Sequence, residues 1–185
     1  MAMRETHNKN TFATHPVHVG PEIGCTQYYG SHPEEFVATI LNARKEMVNR
    51  LTESHLKNFK GQYVDENGNP ADKPMQNPNY KQGAYTKEKA EEQARIHIKG
   101  VFDTGHLGMW LRNFRPDLSW DDRVVEFKKW FTTQVEYIAD ENKKHDIIGG
   151  IQLVDSASGA HAHLPPGQGI LPVVEAAKIL KERGG

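Results

Sequence analysis

The sequence predicts an α/β protein built from parallel strand and helix units, and three observations carry that prediction. Short β-favouring apolar runs alternate along the chain with longer stretches whose apolar residues step by three and four. Each apolar run closes on acid, amide or histidine: Glu22 after Val17 to Pro21, Asp103 and His106 after Ile98 to Phe102, and Gln152 with Asp155 after Ile147 to Ile151. In parallel α/β folds chemistry collects at the C-terminal ends of strands, so three such ends point to a metal or polar catalytic site. Taken alone, Asp103 reads first as a helix cap and Glu22 reads equally well as a loop glutamate.

Composition bounds the answer before any motif does. A chain of 185 residues, 37% hydrophobic and 25% charged, is long enough for one globular domain with a core. Residues 1–16 read as a polar tail and 17–185 as that domain. A net charge of −1 and a pI near 6.8 disfavour nucleic acid and anionic membrane as general partners. The single cysteine, Cys25, forms no internal disulfide, and the opening residues lack the apolar centre of a signal peptide. No apolar run reaches the roughly 20 residues a membrane span needs, so the expectation is a cytoplasmic protein. Ten histidines, several beside glycine or acid, hint at metal.

The first ordered element is a short strand over Val17 to Gly24. Pro21 lacks a backbone donor and must lie at its end, which leaves Glu22 at the mouth of the sheet. Ser31-His32-Pro33-Glu34 then opens a helix, with Ser31 expected as the cap and Glu34 reaching back in a capping box. Phe36, Val37, Ile40, Leu41, Met47, Val48 and Leu51 form its apolar face. Arg44 is the one charge on that face, expected at its margin with the head in water.

From Lys57 to Tyr85 the chain is polar and punctuated by Gly61, Gly68, Pro70, Pro74, Pro78 and Gly83, which forbids a long regular element. An excursion of this length reads as a lid, a binding loop, an inter-subunit arm or simple disorder. Thr86 caps a polar helix through Arg95, which leads into the strand ending at Asp103. Leu107, Met109, Trp110, Leu111 and Phe114 follow as core or pocket wall. Ser119 with Asp122 starts another helix, whose Val124, Phe127, Phe131, Val135 and Ile138 face the sheet. Ile147 to Asp155 reads as a third, buried strand ending in polar side chains. A loop from Ser156 to Gly169 carries His161 and His163, and Pro172 opens a last helix that stops at Gly184.

The segments Val19-Gly20-Pro21-Glu22, Phe102-Asp103-Thr104-Gly105-His106, Ile151-Gln152-Leu153-Val154-Asp155-Ser156 and His161-Ala162-His163-Leu164-Pro165-Pro166-Gly167-Gln168-Gly169 occur in that order, spaced by helices. Together they resemble the xylose isomerase-like TIM barrels. That superfamily holds sugar and sugar-phosphate isomerases and epimerases as well as endonuclease IV-type abasic-site nucleases. The resemblance covers nearly the whole chain from Val17 onward, apart from the excursion. It implies a partial (β/α)8 barrel comprising strands five to seven, since a full barrel takes about 250 residues. It also implies either that the chain is a fragment of such a barrel or that a further chain or copy supplies the remaining wall.

The resemblance assigns Glu22, Asp103 and Gln152 as ligands of one divalent cation. Glu22 and His106 become catalytic groups, and His106, His161 and His163 contact substrate. Oxygen-rich ligation favours Mn²⁺ or Mg²⁺, and a contribution from His106 or His163 moves the preference toward Zn²⁺ or Co²⁺. The implied activity is metal-dependent isomerisation or epimerisation of a sugar or sugar phosphate, with the metal polarising a carbonyl or hydroxyl and a carboxylate moving the proton. The nuclease alternative wants histidine where the chain has Gln152 and aspartate where it has His161. A third reading is a non-catalytic partial barrel or subunit.

Overall fold

The computed structural model describes residues 15–184 and, ahead of them, Met3 and Thr6, so the polar stretch expected over 1–16 lies mostly outside the described residues. In chain order the elements are α1 (Pro33–Thr52), α2 (Lys87–His97), β1 (Gly100–Asp103), α3 (Thr104–Gly108), a 3-10 turn (Met109–Arg112), α4 (Trp120–His145), β2 (Ile148–Gln152) and α5 (Val173–Arg183). The fold is α/β with a parallel two-stranded sheet, and no closed barrel occurs among the described residues. No helix among them is long and apolar enough to cross a membrane. The chain divides into two compact units, Met1–Val19 with Thr39–Lys99 and Gly20–Ala38 with Gly100–Gly185.

In the first unit the excursion is ordered without being regular. Isolated antiparallel bridges join His55 to Gln76, Lys57 to Tyr63 and Val64 to Pro70, and Leu56 and Val64 are buried. Asn77 Nδ2 donates to the carbonyls of Arg50 and Glu53 at 2.9 and 2.7 Å, satisfying the orphan acceptors at the end of α1. These bridges and side-chain bonds, rather than a regular element, hold residues 57–85 in place. Arg44 is also corrected: its Nε and Nη2 donate to the Ile98 carbonyl at 2.9 and 2.8 Å, so its head caps the end of α2. Thr86 caps α2 as expected, accepting from Lys89 N–H. Val19, expected in a full strand, makes only an isolated parallel bridge to Ile98.

In the second unit β1 lies between the segment carrying Glu22, which bridges Val101 in parallel, and β2. Asp103 pairs in register with Gln152. Phe102, Ile23, Phe127, Phe131, Val135 and Ile138 are fully buried or nearly so, which gives this unit its core. The 26-residue α4 starts at Ser119, whose hydroxyl accepts from Asp122 N–H, and packs against α5 and the 3-10 turn. It ends at Asp146, a left-handed residue with φ 54°. Two expectations change here. The start of α1 falls at Pro33, whose fixed φ and missing donor suit the first helical position. His32 Nδ1 therefore accepts from Glu34 N–H, and Glu35 rather than Glu34 reaches back, to Gly30 N–H. The β2 strand, expected to be buried, leaves Gly149, Ile151 and Gln152 exposed because it pairs on one side only.

Candidate metal centre

The site begins where β1 ends. Asp103, 0% exposed, has extended backbone angles and serves as the cap of α3. Its Oδ1 accepts from Gly105 N–H at 2.6 Å and weakly from His106 N–H at 3.4 Å. Its Oδ2 is buried and has no partner. A buried acceptor left unmade costs about 1–3 kcal/mol, and more if charged, so a compensating positive group is expected at that oxygen.

One turn of helix delivers His106, 8% exposed. Its Nδ1 lies 2.5 Å from the Ile23 carbonyl, which can only accept, so Nδ1 carries a proton and in the neutral ring the lone pair is on Nε2. That lone pair is 3.0 Å from Nε2 of His161, an exposed residue of the loop after β2. His163 Nε2 approaches the same His161 atom at 3.1 Å. An imidazole nitrogen has one in-plane position, filled by a proton or by a lone pair. For three neutral rings, His161 Nε2 therefore cannot make a well-aligned hydrogen bond to both neighbours at once.

A cation shared by Asp103, His106 and His161 would pair with the carboxylate and with the facing His106 and His161 nitrogens. Ligand atoms of Asp103, His106 and His161 lie within 4.8 Å of one another and could hold a metal ion. Two imidazoles bound at about 2.0–2.1 Å to one tetrahedral ion would place their nitrogens roughly 3.3 Å apart, close to the spacing seen here. The buried unpartnered oxygen, the oriented lone pair and the donor chemistry all fit a divalent ion.

The residues expected from sequence are thus brought together in part. Asp103 and His106 belong to the compact group, and His161 joins it as a possible ligand where substrate contact was expected. His163 stands beside His161. Glu22 is exposed and is not a member of the group, although its bridge to Val101 places it on the sheet face that Asp103 shares. Gln152 is exposed too. It is the register partner of Asp103, and its carbonyl lies 3.2 Å from the Thr104 hydroxyl. Asp155 is no free ligand, because backbone N–H groups occupy both its oxygens. The imidazole-rich set differs from the oxygen-rich Glu22, Asp103 and Gln152 set. The available signal was the His-x-His of the loop, but the 55-residue separation of His106 from His161 gave no hint that the rings meet.

No family model, curated protein or solved structure matches this chain.

Proposed function

We propose that the chain binds a divalent cation of the Zn²⁺ or Co²⁺ type through Asp103, His106 and His161, and acts on a sugar or sugar phosphate as an isomerase or epimerase. The observation that carries the proposal is the grouping of ligand atoms of Asp103, His106 and His161 within 4.8 Å of one another, where Asp103 also has a buried oxygen without a hydrogen-bond partner. Imidazole donors favour Zn²⁺ or Co²⁺ over the Mn²⁺ or Mg²⁺ preferred by an all-oxygen set. The sugar class rests on the motif resemblance. In this reading the Glu22 segment, β1 and β2 are strands five to seven of a (β/α)8 barrel, and a second chain or copy covers the open sheet edge.

When bound, such a cation supplies Lewis-acid polarisation of a substrate carbonyl or hydroxyl. The chain's own residues do the rest. The Ile23 carbonyl holds the His106 tautomer, and Asp103 Oδ1 fixes the turn that presents the ring. Glu22, exposed on the shared sheet face, is the carboxylate available to take a proton from carbon. His163 is exposed and offers a contact to a substrate oxygen.

Calorimetric titration of chelator-stripped protein with Zn²⁺, Co²⁺ and Mn²⁺, followed by ketose–aldose and epimer interconversion assays, tests the proposal. Binding of Zn²⁺ or Co²⁺ and metal-dependent interconversion are expected. Full activity after EDTA would sink it. One observation favours a second reading: His163 stands beside His161 and adds a histidine to the donors, and the multi-metal phosphoesterase of the motif resemblance uses a histidine-rich set. Cleavage of abasic-site DNA with steep salt dependence would decide for that reading.

A further inference from the structure

We infer that Asp155 is a positioning residue for the metal centre, its buried carboxylate holding closed the loop that brings His161 and His163 to Asp103 and His106. This rests on the metal-binding reading above. Asp155 is 0% exposed. Its Oδ1 accepts from Ser156 N–H at 2.8 Å and Leu171 N–H at 2.9 Å, so backbone at the start of the loop and backbone beyond its end meet on one oxygen. Its Oδ2 accepts from Gly167 and Gly169 N–H, each at 3.0 Å, which fixes the Gly-x-Gly turn. The Asp155 backbone pairs with Leu164 in both directions, at 2.7 and 3.0 Å, one residue after His163. Ser156 Oγ donates to the Ala160 carbonyl at 2.9 Å, one residue before His161.

His161 and His163 are themselves exposed, and residues 165–168 are exposed as well, so little apolar burial orders this loop. Ordering a backbone without burial is entropically costly. Four N–H groups converging on one anion, in a dry site, supply the order instead. Gly169 packs directly on this clamp: a β-carbon there would sit 2.3 Å from Asp155 Oδ1 and 2.5 Å from the Ser156 carbonyl oxygen. An asparagine at 155 keeps the shape but turns one oxygen into a donor that faces donors, so Asp155→Asn releases part of the clamp without changing a ligand.

The test compares wild type, Asp155→Asn and Gly169→Ala, each also in a His161→Ala/His163→Ala background. Readouts are Co²⁺ affinity, the Co²⁺ d–d absorption band, and hydrogen exchange at the Leu164 amide in metal-free protein. Asp155→Asn is expected to weaken Co²⁺ binding about 10–100-fold, to alter the band, and to speed Leu164 exchange. In the background lacking both histidines it should weaken residual Co²⁺ binding no further. If Asp155→Asn does not fold, Gly169→Ala carries the same expectations, because its β-carbon displaces both the carboxylate and the Ser156 backbone at the base of the same loop. Wild-type affinity in a folded variant overturns the inference. An equal loss in the double-alanine background also overturns it, since that marks a general structural role. If wild type binds no Co²⁺, the metal reading falls, and Leu164 exchange still decides whether Asp155 holds the loop.

Discussion

The two halves of the candidate centre are held in different ways. Asp103 and His106 are buried, lie three residues apart, and are fixed by one strand end, one helical turn and the Ile23 carbonyl. His161 and His163 are exposed on a loop that depends on a carboxylate at its base. The first half is therefore local and rigid, and the second is remote and conditional. A donor pair encoded by a strand end needs little besides the sheet. Donors on a loop need a separate device to keep them in place, and their contribution to cation binding is limited by how well that device orders the backbone.

The largest expected effect breaks the rigid half. Phe102 is fully buried in β1 beside Asp103, so Phe102→Ala should cost about 3–5 kcal/mol in urea denaturation. A cost below about 1 kcal/mol would mean that β1 is not the support it is taken to be. Asp103→Asn sharpens the comparison by separating capping from ligation. The amide can still cap α3 through its oxygen, so metal-free stability should change by less than about 1 kcal/mol. Cation affinity should fall on the order of 100-fold in calorimetry. Equal affinity in this variant would return Asp103 to a purely structural role.

His163→Ala probes the conditional half. His163 touches His161 but lies outside the compact group, so a loss of about tenfold in Zn²⁺ affinity is expected. A loss as large as that of His161→Ala would place His163 among the ligands. The smallest effect is remote from both halves. Ser119→Ala should cost about 1 kcal/mol in thermal unfolding through loss of the α4 cap, with metal binding unchanged. Altered binding in that variant would show that helix ends far from the site feed into it.

Local signals were read well where the interaction is local. Thr86 and Ser119 cap the helices that follow them, and Gly184 closes α5, because each bond lies within a few residues of its donor. The cap of α1 was misplaced because the preference of Pro33 for the first helical position outweighs the preference of Ser31 for capping. The glycines and prolines of the excursion predict irregular chain but leave open whether it is ordered. Its order comes from Asn77 and three isolated bridges, which leave no periodic trace. Exposure of β2 was missed for a related reason: an apolar run records β propensity, whereas burial depends on what lies alongside.

Asp103 itself carried both meanings that its sequence allowed. One oxygen caps α3, as the commonest reading of an aspartate after a strand requires, and the other stands buried without a partner, as a ligand awaiting its cation would. The sequence by itself determined the alternation of strand and helix, the strand ends that bear polar groups, and the Asp-x-x-His turn, because period, propensity and short-range hydrogen bonds are written in adjacent residues. Only the tertiary structure decided that His161 meets His106, that Glu22 and Gln152 stay exposed, and that Asp155 binds backbone rather than metal. Those outcomes depend on how loops fold back across tens of residues, and the carboxylate that controls one such return is indistinguishable in sequence from a ligand.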